Sequence, residues 1–247
     1  MRDAIETLKR WVEESDRIVF FGGAGVSTES GIPDFRSTDG LYHQQYEYPP
    51  ETILSHSFYL SRPEEFYRFY RAKMLCTDAE PNAAHLKLAE WERQGKLRAV
   101  ITQNIDGLHQ KAGSENVLEL HGSTLRNYCC KCGRFHGVEV ILKSTGVPRC
   151  ECGGAIKPDV VLYEEGLDED IVARSVSAIR AADMLIIGGT SLTVYPAAGL
   201  VQYYRGNKLV VINKTELAGA GADLTVCAPI GKVLGQLSAT SGVSVTY

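Results

Sequence analysis

The 247-residue chain lacks long hydrophobic runs and has no excess of basic residues. No apolar stretch approaches the roughly 18 residues that a membrane-spanning helix needs, so we expect no membrane segment. Lysine and arginine number 26 against 30 acidic residues, and this formal net charge of -4 disfavours non-specific binding to nucleic acid. Residues 1–17 are charged throughout, with apolar residues at helical spacing, which predicts an amphipathic helix and not a signal peptide. We therefore expect a cytoplasmic protein.

Short apolar runs alternate with helix-like stretches along most of the chain, without internal repeats or low-complexity segments. The runs are rich in Val, Ile and Leu, as expected of parallel strands that are covered on both faces. This alternation predicts an α/β fold with a Rossmann-like, doubly wound parallel sheet. The predicted strands cover 17–23, 97–104, 116–122, 182–190 and 207–214, and the clearest predicted helices cover 82–96 and 168–181.

Two stretches interrupt the alternation and predict a second, smaller lobe. Residues 38–77 are rich in aromatic side chains and short helical pieces, and we expect them to form a helical module. Residues 125–157 carry a cysteine cluster, and we expect a zinc-ribbon insert there. The large Rossmann-like domain is then assigned to 1–37, 78–124 and 158–247.

Four of the seven cysteines have a spacing close to that of a four-thiolate zinc site. A C-x2-C pair is followed by residues 133–149 and then by C-x-C, which is one residue shorter than the usual second pair. The two glycines that follow would permit the turn that brings both members of the short pair onto one metal ion. The expected ligands of this structural zinc ion are Cys129, Cys132, Cys150 and Cys152. Cys130 is an alternative ligand and His136 a less favoured one, whereas Cys76 and Cys227 are expected to be ordinary buried side chains.

The stretch GGAGVSTESGIPDFRS at 22–37 follows the first predicted strand. Its first three glycines would let backbone N–H groups approach a pyrophosphate at a helix start, where Ser27 can cap the helix or contact phosphate. A dinucleotide fingerprint also needs a glycine where Thr28 stands and an acidic residue about 20 positions later, so a hydride-transferring dehydrogenase is disfavoured. A tight strand-to-helix turn is the alternative interpretation.

Further polar residues follow the predicted strands, at the edge where an α/β sheet binds its ligands. They are Gln103, Asn104 and Asp106, then His121, then Thr190 and Ser191, and finally Asn213. His121 stands at a strand end before a glycine, a position suited to acid–base chemistry, although a turn with a helix cap or a structural histidine is the alternative. In the loop after the first strand, Phe35 stands between Asp34 and Arg36, which predicts closure over a planar ring when a ligand binds.

Together these segments resemble the sirtuin family of NAD-dependent protein lysine deacylases, in particular its compact bacterial members. The resemblance rests on GAGVSTESGIPDFRS, TQNID, LELHGS, the cysteine cluster, CGGAIKPDVVLYEE, GGTSLTVYPA and VVINK, in the family's order between residues 22 and 214. It implies NAD as co-substrate, one structural Zn2+ per chain, and acetylated lysine of proteins as substrate. We also expect a monomer, without nucleic-acid or membrane partners.

The same resemblance assigns roles to individual residues. His121 would be the catalytic base and Asn104 a second catalytic residue. The NAD-binding positions would be Gly22, Ala24, Gly25, Thr28, Asp34, Phe35, Arg36, Gln103, Asn104, Ile105, Asp106, His121, Gly189, Thr190, Ser191, Asn213, Lys214 and Ala228. The substrate-binding positions would be Val160, Val161, Tyr163 and Val194, with the substrate backbone added as a strand along the first two.

The implied reaction consumes NAD. The acyl oxygen attacks the ribose carbon as nicotinamide leaves, His121 removes a proton from the ribose hydroxyl groups, and water completes the release of free lysine and O-acetyl-ADP-ribose. A mono-ADP-ribosyl transferase with the same NAD cleavage is one alternative. A catalytically silent NAD-binding or zinc-ribbon interaction module is another.

The chain departs from the family pattern at two places. Tyr163 and Glu164 stand where many relatives carry Phe and Gly, which predicts a slightly altered substrate tunnel. Relatives that prefer succinyl-lysine carry a Tyr-x-x-Arg pair, and the nearest match here is Tyr70 with Lys73. Because lysine lacks the bidentate fork of arginine, we expect acetyl-lysine to be favoured over succinyl-lysine.

Overall fold

A computed structural model describes residues 2–34, 47–217 and 221–237. The strands are β1 (Ile18–Gly22), β2 (Leu97–Thr102), β3 (Val117–Glu119), β4 (Gly122–Cys129), β5 (Phe135–His136), β6 (Ile156–Val160), β7 (Met184–Gly188), β8 (Leu209–Asn213) and β9 (Leu224–Cys227). The helices are α1 (Arg2–Glu14), α2 (Pro50–Ile53), α3 (His56–Ser61), α4 (Pro63–Lys73), α5 (Ala83–Arg93), α6 (Leu108–Lys111), α7 (Val138–Lys143), α8 (Glu169–Ala181) and α9 (Ile230–Gly235). Short 3-10 helices cover Ala24–Val26, Thr28–Ser30 and Ala197–Tyr203.

Six parallel strands form the large sheet in the order β3-β2-β1-β7-β8-β9. The strand order reverses between β1 and β7, and an α/β sheet binds its ligands beyond the carboxyl ends of the strands at such a point. The expected Rossmann-like, doubly wound sheet is confirmed, and all five strands expected from apolar runs are present. The sequence did not predict β9, because only Val226 of this edge strand is fully buried and no apolar run marks it.

Helices cover both faces of the large sheet. On one face, α1, α5 and α9 pack through fully buried side chains such as Leu8, Leu88 and Leu234. On the other face, α8 and the 3-10 helix at 197–203 pack through Ile179 and neighbouring side chains. Strands β1 and β7 are buried at every position, which explains their continuous apolar sequences. Within the described ranges, no helix combines the length and the apolar character needed to span a bilayer.

The second sheet is antiparallel, in the order β5-β4-β6, and packs against aromatic side chains of α3 and α4. The rings of Phe66 and Tyr70 stack with their centroids 5.5 Å apart, and the hydroxyl group of Tyr67 donates to the carbonyl oxygen of Ile156. The aromatic residues of the expected helical module therefore form the core that supports the small sheet.

The boundaries of the small sheet differ slightly from those of the expected insert. β4 begins at Gly122 and β6 ends at Val160, so the sheet extends beyond 125–157 on both sides. Residues 38–46 of the helical module lie outside the described residues. The division into domains stays a prediction.

The two isolated cysteines differ from the expectation that both are buried. Cys76 is only partly buried and Cys227 is exposed. Cys227 ends β9 and lies with Thr225 on the exposed face of this strand.

Two histidines lie against each other inside the large domain. The rings of His85 on α5 and His109 on α6 have centroids 4.7 Å apart, and both side chains are almost fully buried. His85 Nδ1 accepts a hydrogen bond from the backbone N–H of Asn82, whereas His85 Nε2 and both ring nitrogens of His109 have no partner among the described residues. Burial lowers the pKa of His85 to about 4 and the pKa of His109 well below its ordinary value. Both rings are therefore neutral in the folded protein at neutral pH.

This pair should make the fold sensitive to acid. Below about pH 6.5 the unfolded chain protonates both histidines while the folded chain does not, so each contributes a loss of about 1.4 kcal/mol of unfolding free energy per pH unit. Urea unfolding at pH 7.5 and 5.5 should show this loss. The His109→Leu variant should lose less stability than the wild type over the same pH interval. An equal loss in both proteins would contradict the prediction that His109 is buried in its neutral form.

Candidate active site and metal centre

The loop after β1 packs directly against the loop after β7. The N–H groups of Gly23 and Gly25 donate to the carbonyl oxygens of Gly188 and Gly189, at 3.3 and 2.8 Å. A Cβ atom at Gly25 would lie 2.8 Å from the Cα atom of Gly189, so only glycine fits there. These two N–H groups therefore bind the neighbouring loop, and the glycines serve close backbone contact at the point where the strand order reverses.

Ser27 links this loop to the residues that follow β2. Its hydroxyl group donates to Asp106 Oδ2 at 2.6 Å and accepts from Asn104 Nδ2 at 3.1 Å. Asp106 Oδ1 accepts from the backbone N–H of Leu108 at 2.9 Å, which holds the carboxylate in place. Sequence reasoning named Asn104 and Asp106 but missed the linking role of Ser27, because nothing in the spacing shows that the two segments meet.

Gln103 joins three segments of the site. Its side-chain Nε2 donates to Thr190 Oγ1 at 3.1 Å, beyond the end of β7. Its backbone N–H donates to the carbonyl oxygen of Gly22 at 3.0 Å, and its own carbonyl oxygen lies 3.0 Å from His121 Nδ1. The predicted strand ends therefore do come together at one edge of the sheet.

The contact with Gln103 settles which nitrogen of His121 carries the proton. A carbonyl oxygen can only accept, so Nδ1 of the neutral ring is protonated and Nε2 keeps its lone pair. Burial lowers the pKa of His121, and the hydrogen bond to the Gln103 carbonyl partly opposes this shift. The neutral ring, which can accept a proton at Nε2, is therefore the dominant form at neutral pH.

The main chain at His121 is bonded to the end of the small sheet. The carbonyl oxygen of His121 accepts from the N–H of Val161 at 3.0 Å, and Gly122 pairs with Val160. Gly122 has a left-handed backbone (φ 76°), and a Cβ atom there would overlap the carbonyl oxygen of Asp159. The histidine thus lies where the two sheets meet, beside two of the expected substrate-binding residues.

The two remaining substrate-binding candidates lie in loops. Tyr163 follows β6, where its N–H donates to the carbonyl oxygen of Leu54 and its carbonyl oxygen accepts from the N–H of His56, both at 3.0 Å. Val194 lies after β7, and its carbonyl oxygen accepts from the N–H of Ala198 at 2.9 Å.

Several other expected NAD-binding residues lie along the carboxyl ends of β7 and β8. Asn213 ends β8, and its carbonyl oxygen accepts from the N–H of Ala228 at 3.0 Å. The ammonium group of Lys214 donates to Thr28 Oγ1 at 3.4 Å, and Ser191 lies after β7. Ala24 lies in the 3-10 helix at 24–26, and Ile105 lies between Asn104 and Asp106. Asp34 is the last residue of the first described range. Phe35 and Arg36 lie outside the described residues.

Four cysteines of the small lobe form a compact group. The sulfur atoms of Cys129, Cys132, Cys150 and Cys152 all lie within 4.8 Å of one another. The Cys132–Cys150 and Cys129–Cys152 sulfur distances are 3.8 and 3.4 Å, whereas a tetrahedral zinc ion with Zn–S bonds of about 2.3 Å separates its sulfurs by roughly 3.8 Å. The donor set and its geometry fit a closed structural zinc site.

A tight turn explains how the short C-x-C pair reaches one metal. The N–H of Gly153 donates to the carbonyl oxygen of Cys150 at 2.8 Å, and Gly153 has a left-handed backbone (φ 81°). At Gly154 a Cβ atom would lie 2.6 Å from the sulfur of Cys129, so glycine is required. The alternative ligands fall outside the group: Cys130 is exposed with its sulfur 3.9 Å from the hydroxyl group of Tyr59, and His136 is not among the clustered donors.

The geometry predicts different results for two adjacent cysteines. Cys129→Ser should release most of the zinc and lower the midpoint of thermal unfolding by at least about 5 °C, because structural zinc supplies folding free energy. Cys130→Ser is the matched control and should keep both the zinc and the midpoint of the wild type. Metal content and thermal unfolding measure the two effects, and a zinc-loaded Cys129→Ser protein would contradict the ligand assignment.

Comparison with known proteins shows to which protein family this chain is similar. The Sir2 family description matches residues 23–196. An NAD-dependent protein deacetylase of Clostridium acetobutylicum is 60% identical over 237 residues, which cover 94% of this chain and 97% of that protein. A structure solved under the heading "Structural Basis for the Mechanism and Regulation of Sir2 Enzymes" has a TM-score of 0.86 and 38% identity, covering 96% of this chain and 97% of that one.

A second solved structure adds chemical information about a relative. It is a Sir2 variant with a deacetylated p53 peptide and 3'-O-acetyl ADP-ribose, with a TM-score of 0.85, 38% identity, and coverage of 93% and 95% of the two chains. The expected fold, the cysteine cluster and these matches all agree with the resemblance seen in the motifs. This chain belongs to the Sir2 family.

Proposed function

We propose that this protein removes acetyl groups from protein lysines in an NAD-dependent reaction that releases nicotinamide and O-acetyl-ADP-ribose. The Clostridium acetobutylicum relative bears the name NAD-dependent protein deacetylase. The Sir2 variant with a deacetylated peptide and acetylated ADP-ribose holds both products of one acyl transfer. This chain belongs to the same family as these proteins.

The observation that carries the proposal is the environment of His121. The Gln103 carbonyl holds the ring with Nε2 available as a base, and burial keeps the ring neutral. We assign proton acceptance to Nε2 of His121, and a positioning role to Asn104 through its bond to Ser27. A binding module without catalysis has no need for a base prepared in this way.

We assign NAD to the carboxyl ends of β1, β2 and β7. Hydrogen bonds of Ser27 with Asn104 and Asp106 join the segments after β1 and β2, and the glycine loop that contains Ser27 admits no Cβ atom at Gly25. The residues assigned to NAD are those that the resemblance implied: Gly22, Ala24, Gly25, Thr28, Asp34, Phe35, Arg36, Gln103, Asn104, Ile105, Asp106, His121, Gly189, Thr190, Ser191, Asn213, Lys214 and Ala228. When bound, NAD supplies the electrophilic ribose carbon and the hydroxyl group that receives the acetyl group.

The edge of β6 supports binding of an extended peptide. β6 pairs with β4 on one side only, among the described residues, so an added strand can pair with its other side. Val160 and Val161 lie at this edge next to His121, and we assign the substrate backbone to them, with Tyr163 and Val194 as further contacts. Main-chain pairing of this kind predicts loose sequence specificity.

We also infer a structural Zn2+ held by Cys129, Cys132, Cys150 and Cys152, and a monomer in the cytoplasm. The cytoplasm is supported by the chemistry of the zinc site, since four thiolate ligands need a compartment that keeps cysteines reduced. Sedimentation equilibrium tests the oligomeric state and should give the mass of a single chain.

The proposed reaction is tested directly with an acetylated peptide, with and without NAD. Deacetylation requires loss of the acetyl mass from the peptide together with nicotinamide release, and both should depend on NAD. A gain of ADP-ribose mass on the peptide would instead indicate ADP-ribosyl transfer. Intact NAD in the presence of acetyl-lysine would refute the proposal.

The base assignment predicts the effect of removing His121. His121→Ala should lower kcat/KM for deacetylation at least about 100-fold, because a positioned general base contributes a factor of this size or more. Zinc content and the midpoint of thermal unfolding should stay close to those of the wild type. Undiminished turnover of the variant would exclude His121 as the base.

The aromatic core beside β6 disfavours a charged acyl group. Tyr70 is fully buried, shares the apolar cluster with Val160, and its hydroxyl group has no partner among the described residues. Burial and the nearby Asp159 raise the pKa of Tyr70, which shows that negative charge is unfavourable there. Lys73 lies at the end of α4 and is not fully buried.

Acetyl-lysine should therefore be preferred over succinyl-lysine by at least about tenfold in kcat/KM, since a buried carboxylate needs a charged partner. Butyryl-lysine in the same peptide is the control for size, because its chain has the same number of carbons but no carboxylate. If only the succinyl peptide is turned over slowly, the negative charge of its acyl group is the cause. If the butyryl peptide is turned over as slowly as the succinyl peptide, the size of the acyl group is the cause. Comparable rates for acetyl and succinyl peptides would contradict the prediction.

A further inference from the structure

Asn82 caps the helix that supports the NAD-binding loop. It is the residue before α5, and its side-chain Oδ1 accepts from the N–H of Ala84 at 2.9 Å. Its backbone N–H donates to His85 Nδ1 at 3.2 Å, which completes a capping box. The bond from Ala84 therefore uses the acceptor half of the side-chain amide.

The donor half of the same amide reaches a distant segment. Asn82 Nδ2 donates to the carbonyl oxygen of Val26 at 2.8 Å and to Ser30 Oγ at 3.0 Å. Both partners belong to the loop after β1, more than 50 residues earlier in the chain. Because an amide side chain has both an acceptor and donors, one residue can cap α5 and bind this loop together.

The loop has separate attachments along its length. The N–H of Gly25 donates to the carbonyl oxygen of Gly189, which follows β7, and the hydroxyl group of Ser27 donates to Asp106. Glu29 accepts from the N–H of Gly231 at 2.6 Å, at the start of α9. The bond from Asn82 fixes the segment between these attachments, at the carbonyl of Val26, whose side chain is fully buried.

We propose that Asn82 is a positioning residue for NAD: its Nδ2 donors hold Val26 and Ser30, and thereby place Ala24, Gly25 and Ser27 for the dinucleotide. This inference rests on the proposed function, which assigns that loop to NAD. Asn82 itself does not contact the ligand. Its loss should weaken NAD binding without affecting the peptide site on the other side of His121.

Two substitutions separate capping from positioning. Asp and Ser cap helices about as well as Asn, but an ionised Asp has no donor, and the single, shorter hydroxyl group of Ser cannot replace both Nδ2 hydrogen bonds. Asn82→Asp and Asn82→Ser should therefore keep α5 and lose the loop contact. The matched control is Asp168→Ala, which removes the side-chain cap of α8 (Oδ1 to the N–H of Ile171, 2.9 Å) on the opposite face of the sheet.

The experiment measures KM for NAD, KM for an acetylated peptide, and Kd for ADP-ribose by calorimetry. Asn82→Asp and Asn82→Ser should each raise KM for NAD and Kd for ADP-ribose at least about threefold, with KM for the peptide changed less than about twofold. Asp168→Ala should lower the thermal midpoint and leave all three constants unchanged. Rises of less than about threefold in both Asn82 variants, or equal rises in Asp168→Ala, would overturn the proposal.

Binding of ADP-ribose does not need turnover, so the two proposals can fail separately. If the wild type binds ADP-ribose but does not deacetylate the peptide, the proposed function fails, and Asn82 is still tested by the Kd values. If the wild type deacetylates and the Asn82 variants bind normally, only the role of Asn82 fails. A cooperative thermal unfolding transition shows that each variant is folded, and the serine variant replaces the aspartate variant if the latter does not fold.

Discussion

The site depends on the contact between two backbone segments that leaves no space for a side chain. The loop after β1 and the loop after β7 meet at Gly25 and Gly189, where the N–H of one donates to the carbonyl of the other. This contact lies where the strand order of the sheet reverses, so the carboxyl ends of β1 and β7 open into a cleft instead of being covered by a crossover helix. A side chain at either glycine would separate the loops and widen the cleft.

A polar network extends from this contact to Asn104, Asp106 and His121. Ser27 binds both Asn104 and Asp106, and Gln103 binds Thr190 through its side chain and His121 through its carbonyl group. Such bonds in a partly buried site hold side chains in one arrangement, since breaking one leaves a polar group without a partner. The same reasoning links Asn82 to the loop: the helix cap and the loop contact use opposite ends of one amide.

The small lobe is stabilised by other interactions than the large sheet. Its three strands pack against an aromatic core, and two of the four cysteines that fit a zinc site belong to the same buried cluster. The lobe is nevertheless joined to the proposed catalytic base, because β4 starts directly after His121 and β6 ends at Val160, which pairs with Gly122. Loss of the metal should therefore disturb the substrate side of the cleft, while the NAD side is held by the large sheet.

Most strands of the large sheet and the cysteine cluster could be predicted from the sequence. Strands buried on both faces need continuous apolar residues, which made β1, β2, β3, β7 and β8 visible, and a cysteine pattern with metal spacing marks its site directly. Strand β9 was missed because one of its faces is exposed, and Cys227 lies on that exposed face. Motifs alone were enough for the family, since glycine, polar and cysteine segments in a fixed order form a specific combination.

Only the tertiary structure decided which of these residues touch. The bonds of Ser27 to Asp106, of Gln103 to His121 and of Asn82 to Val26 join positions far apart in the chain, and no local periodicity encodes such pairs. The turn that brings Cys152 to Cys129 likewise depends on a left-handed backbone at Gly153 and on close packing at Gly154. The sequence alone determined the elements and their chemistry, because these depend on short-range patterns. The proton position on His121 and the anchoring of the loop came from contacts that exist only after the chain has folded.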